Sequence, residues 1–117
     1  MQTASVVLSV LLALVAGASA LGKLQKKPQI MESMAHVGVK PNQIPVLAYL
    51  EIAGALGLLA GLAYAGIGLA AATGLSLYFV GAVVAHLKNK DGIAIFGPAL
   101  VLALLNAVNA YLISSVF

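Results

Sequence analysis

Four apolar runs divide the sequence, at about residues 4–22, 45–62, 66–87 and 93–117. Each is close to the ~20 residues that an α-helix needs to cross about 30 Å of hydrocarbon. An unpaired amide in lipid costs several kcal/mol, so a spanning segment must be a helix or belong to a closed barrel. The runs are rich in Ala and Leu and lack the two-residue alternation of barrel strands. The fold expected is therefore an all-α membrane protein, a four-helix transmembrane bundle, with residues 1–117 as one domain. Composition agrees. Hydrophobic residues make up 62% of the chain and charged residues 8%, against about a quarter charged in soluble domains. A water-soluble fold of 117 residues could not hide that much apolar surface.

The connections differ in kind. Residues 23–44 form a long one, with four Lys, Glu32 and Pro28, Pro41 and, just beyond it, Pro45. Within it, Ile30, Met34 and Val37 alternate with Glu32, Ser33 and His36, the pattern of a short helix lying at a membrane interface. The turn at 61–66 carries no charge, whereas Lys88-Asn89-Lys90-Asp91-Gly92 is a tight polar stop. Pro98, early in the fourth run, lacks an amide proton and should loosen that turn of helix. All six basic residues are Lys, and all lie in or beside the long connection and the polar stop. By the positive-inside rule that side is cytoplasmic, so both termini are expected outside a cytoplasmic (plasma) membrane. Ala18-Ser19-Ala20 resembles a cleavage site, but Met1-Gln2-Thr3 supplies no basic residue and the apolar run is long, so the first run reads as a membrane helix.

Several function classes drop out. The chain has no Cys, which removes disulfides, thiolate metal sites and a Cys nucleophile. It has no Arg and no basic stripe interleaved with aromatics, so nucleic acid is not an expected partner. No phosphate loop, nucleophile elbow or zinc motif is present, and neither a catalytic residue nor a metal site is assigned.

Helices in lipid associate through close packing of small residues. Ala53, Gly57 and Gly61 recur every four residues, as do Ala70 with Gly74 and Gly81 with Ala85; Ala13, Gly17 and Leu21 form a weaker stripe. Packing within the chain is the plainer reading, and a homodimer seam the sharper one.

Glu51 lies about two turns into the second run, roughly 10 Å from its lysine-bearing end at 1.5 Å per residue. A carboxylate at that depth should face the bundle interior and pair. Lys23 closes the first run and His86 ends the third, so Lys23, Glu51 and His86 form a polar cluster drawn from three helices. Tyr49 and Tyr78 are amphipathic aromatics in the same half and complete the candidate ligand-binding set. Gly22, Gly54, Ala55 and Ala82 leave room beside the cluster, and Leu50, Leu58, Phe79 and Leu87 offer apolar wall. Asn106 with Asn109, and Thr73 with Ser76, lie toward the other end and are expected to make interhelical hydrogen bonds.

The chain resembles the DoxX-like family of small four-helix membrane proteins. The likeness rests on Gly22-Lys23-Leu24, on Tyr49-Leu50-Glu51-Ile52-Ala53-Gly54-Ala55-Leu56-Gly57-Leu58-Leu59, and on Gly81-Ala82-Val83-Val84-Ala85-His86-Leu87 followed by a polar turn and Pro98. It implies Lys23, Glu51 and His86 as a polar signature. It also implies roles as subunits of quinone- or thiol-linked membrane oxidoreductases, as partners of detoxifying enzymes, or as assembly chaperones. With no Cys, this chain lacks the side chain of a thiol relay. Three functions follow as expectations. The first is a membrane scaffold or assembly partner without catalysis of its own. The second is a subunit of an oxidoreductase complex that binds a quinone or lipid, and the third is a small transporter using Glu51. The lipid bilayer is the expected surrounding, with a second copy or another membrane protein as partner.

Overall fold

The computed structural model describes residues 3–40, 42–90 and 92–115, with the backbone alone at 93–96. Its elements, in chain order, are α1 (Thr3–Leu24), α2 (Pro28–His36), α3 (Ile44–Ala60), α4 (Ala65–Lys88) and α5 (Ile93–Ser114). Pro41, Asp91 and the expected last helical residue, Phe117, fall outside the described residues. The four long helices match the four apolar runs, and α2 is the short helix expected in the long connection.

Helix starts and stops follow local chemistry. Pro28 opens α2 and Pro45 sits in the first turn of α3, where a missing amide proton costs nothing. α2 stops at Val37, and Gly38 follows with φ +84°. The amides of Gly38 and Val39 donate to the carbonyls of Ala35 and Met34, the paired bonds that close a helix through a left-handed glycine. This turn folds Val39 back beside Met34. The Asn89 side-chain amide donates to the Ala85 carbonyl at the end of α4. α5 runs on through Pro98.

One boundary is shorter than the sequence implied. α3 ends at Ala60, and its 17 residues span about 25 Å at 1.5 Å each. α1, α4 and the Gly97–Ser114 part of α5 are long and apolar enough to cross a membrane; α3 is the shorter apolar helix. The turn begins at Gly61, where a β-carbon would run into the backbone of Gly68 on α4.

α1 packs along α3, α3 along α4 and α4 along α5, with α5 returning to α1. The chain thus forms a ring of four helices, about 40 Å in its longest dimension. The inward face of α1 carries mainly small or polar residues. These include Ser5, Ser9, Ala13, Ala16, Ala20 and Lys23, at helical spacing, while Val7, Leu11, Leu14 and Leu21 point outward. Large side chains outside and small ones inside are expected where the solvent is hydrocarbon and close packing drives association. Leu12, Ala55, Leu58, Ala72, Leu75 and Phe79 belong to the central apolar core.

The small-residue stripes divide. Gly57 lies against Ala71 and Gly61 against Gly68, while Gly54, not the exposed Ala53, sits under Leu75. These three glycines close the α3–α4 seam. A β-carbon at Gly17, Gly74 or Gly81 would meet nothing within 4 Å, so these three glycines make no close helix contact inside the ring.

Candidate functional site

Glu51 is fully buried on α3. α1 and α3 run antiparallel, so the last turn of α1 meets the first half of α3, and the Lys23 ammonium donates to Glu51 Oε1 at 2.6 Å. Lys23 also donates to Ser19 Oγ, one turn back, at 2.8 Å. α4 supplies the third member. The Tyr78 hydroxyl donates to the same Glu51 Oε1 at 3.1 Å, and the Phe79 ring stands edge-on to the Tyr78 ring with centroids 5.1 Å apart. Glu51 Oε2 is buried and has no hydrogen-bond partner among the described residues. The cluster is therefore Lys23, Glu51, Tyr78 and Ser19, with one acceptor oxygen to spare.

His86 and Tyr49 sit elsewhere. His86, half-buried near the end of α4, lines a cavity of about 240 Å³. Met34, Val37 and Val39 cover one side of it, brought there by the turn after α2, and Tyr78, Gly81 and Ala82 line it from α4. Tyr49 is 62% exposed on the outer face of α3. A second hollow, of about 620 Å³, lies along the outer side of the α3–α4 seam, lined by Leu50, Gly54, Gly57, Ala71, Gly74 and Tyr78 among others. Tyr78 is the residue the two hollows share.

The expected walls separate accordingly. Leu50 and Gly54 line the larger hollow and Ala82 the smaller. Ala55, Leu58 and Phe79 lie in the apolar core. Leu87 is exposed, and the space above Gly22 is taken by the Ile30 side chain of α2.

A second polar layer occupies the opposite end. Ser5 Oγ donates to Asn109 Oδ1 at 2.9 Å, and Asn109 Nδ2 donates to Ser9 Oγ at 3.0 Å, tying α5 to α1. Ser76 donates to the Ala103 carbonyl across α4 and α5. Asn106 and Thr73 bond instead to carbonyls of their own helices. Ser5 and Ser9 belong to no sequence motif, and Ser19 stands out only within Ala18-Ser19-Ala20. Their signal was the four-residue step from Ser5 to Ser9, and from Ser19 to Lys23, on the face that buries Ala13 and Ala16.

An all-helical ring of apolar helices, with a buried ion pair near one end, defines a multi-pass membrane protein. The profile of the DoxX-like family matches residues 7–108, and the chain belongs to that family. No curated protein and no solved structure matches it.

Proposed function

We propose that this protein is a non-catalytic membrane-binding subunit that holds the polar head of an amphiphile, a lipid or a quinone, in the cavity between α2 and α4. One observation carries the reading. Tyr78 is both a wall of that cavity and a hydrogen-bond donor to the buried Glu51. A head group in the cavity thus touches a side chain whose position is set by the ion pair. His86, in the same wall, can donate or accept according to its protonation. Small residues at Gly81, Ala82 and Ala85 keep the space open where bulk would have filled it.

Two alternatives have less support. A bare scaffold needs packing faces but gives no reason for a cavity beside a buried ion pair. Transport through Glu51 needs a polar path across the bundle. Ser9 and Lys23, on one face of α1, stand about 21 Å apart at 1.5 Å per residue. Between them that face carries Leu12, Ala13, Ala16 and Ala20.

The test is native mass spectrometry of the protein purified from membranes. Wild type should carry one amphiphile per chain, whose mass tells a quinone from a phospholipid. His86→Ala combined with Tyr78→Phe should release most of it. Equal recovery from wild type and variant, or none from wild type, would overturn the assignment.

A further inference from the structure

Tyr78 lines both hollows, and α4 runs beneath the two as the floor of a trough. On α4, Gly74 lines the larger, Tyr78 both, and Gly81 and Ala85 the smaller. Positions 74, 78, 81 and 85 fall on one helix face and cover about 16 Å at 1.5 Å per residue. The floor of the trough is bare at two places, because a β-carbon at Gly74 or Gly81 meets no atom within 4 Å. Its far section, about 620 Å³ in volume, is lined by apolar residues and Tyr78.

The near section opens where positive charge collects. Lys40 follows Val39, which lines the cavity, and Lys88 and Lys90 lie two and four residues beyond His86, also in its wall. All three lysines are exposed, as are Lys26 and Lys27 flanking α2. Among the described residues, the acidic groups at this end are the exposed Glu32 and the buried Glu51, whose Oε1 is taken by Lys23 and Tyr78. Lysines at an interface attract anionic head groups; they offer little to a neutral quinone ring.

We infer that the trough holds an anionic phospholipid, its phosphodiester head between α2 and the end of α4 and one acyl chain laid past Tyr78 into the α3–α4 hollow. This rests on the head-group reading proposed above and adds to it the charge of the head and the path of the tail. Neither Gly74→Leu nor Gly81→Leu meets protein atoms at its β-carbon, so both variants should fold, which a circular-dichroism melt checks.

The experiment titrates the full chain in detergent with phosphatidylglycerol or phosphatidylcholine of matched chains, read by native mass spectrometry. Wild type should retain one phosphatidylglycerol about tenfold more strongly than phosphatidylcholine, the effect of one or two lysines near a head group. Lys88→Gln with Lys90→Gln should erase most of that preference. Gly81→Leu and Gly74→Leu should each release the lipid. Loss in Gly81→Leu with full retention in Gly74→Leu would overturn the tail path while leaving the head-group reading intact. Equal retention of the two lipids by wild type would overturn the anionic head alone. Retention in both glycine variants would overturn this inference and the head-group reading together.

Discussion

Glu51 and Lys23 form a buried pair near one end of the bundle, at 0% and 7% exposure. Removing one member of such a pair strands the other, which costs about 3–5 kcal/mol, whereas replacing both with apolar residues is often neutral. Glu51→Ala should therefore lower the thermal midpoint in detergent sharply, and Lys23→Met with Glu51→Leu should recover most of it. A pair whose loss left the melt unchanged would be a solvated one. At the other end, Asn109→Leu removes two interhelical bonds, from Ser5 and to Ser9. Such bonds average about 0.6 kcal/mol in membranes, so its melt should shift much less than that of Glu51→Ala. The pairing of Glu51 with Lys23 could be read from the sequence, because a carboxylate at that depth needs a cation and Lys23 ends the neighbouring helix. Tyr78 as the second donor could not. A phenol's reach to a carboxylate depends on how α4 is rotated, and α4 carries apolar residues all round.

The helices were legible because lipid imposes their length; their contacts were not. Gly57 and Gly61 stood out as a small-residue repeat, and both lie against α4. Gly74 and Gly81 look the same in sequence and meet nothing. Close approach is a property of two surfaces, and one helix's spacing describes only half of it. Gly61→Ala should force α3 and α4 apart and cost about 1–3 kcal/mol, the usual penalty for overpacking. Gly17→Ala, where a β-carbon meets nothing, should leave the melt unchanged and serves as the control. Gly38 is the other position that demands glycine, for its backbone rather than its space. Its φ of +84° costs a residue with a β-carbon about 1–2 kcal/mol. Gly38→Ala should loosen the turn that sets Met34 and Val39 over the cavity. Faster hydrogen exchange at the Gly38-equivalent and Val39 amides, with α4 unaffected, would show it.

For the whole molecule, every Lys lies at one end of the four-helix ring, beside the loops that join α1 to α3 and α4 to α5. An extracytoplasmic reporter fused after Phe117 should be active, and the same reporter placed in the Lys88–Asn89–Lys90 turn should be inactive. The reverse pattern would invert the orientation and place the α2–α4 cavity on the outer leaflet. The ring also keeps its two polar layers apart, with the ion pair near the lysine-bearing end and the Ser–Asn layer near the other. The layers join different neighbours: one ties α3 to both α1 and α4, the other ties α1 to α5. The ring is therefore pinned at both ends while its middle is packed by apolar side chains.

The sequence by itself determined the solvent, the four apolar helices, the short helix of the first connection and the need of Glu51 for a cation. Those follow from hydropathy, from the length of helix that crosses hydrocarbon, and from the cost of an unpaired charge. Only the tertiary structure decided which small residues touch, which aromatic reaches Glu51, and where space remains. Those depend on how each helix is rotated about its axis, and helices apolar all round carry no amphipathic pattern from which that rotation can be read.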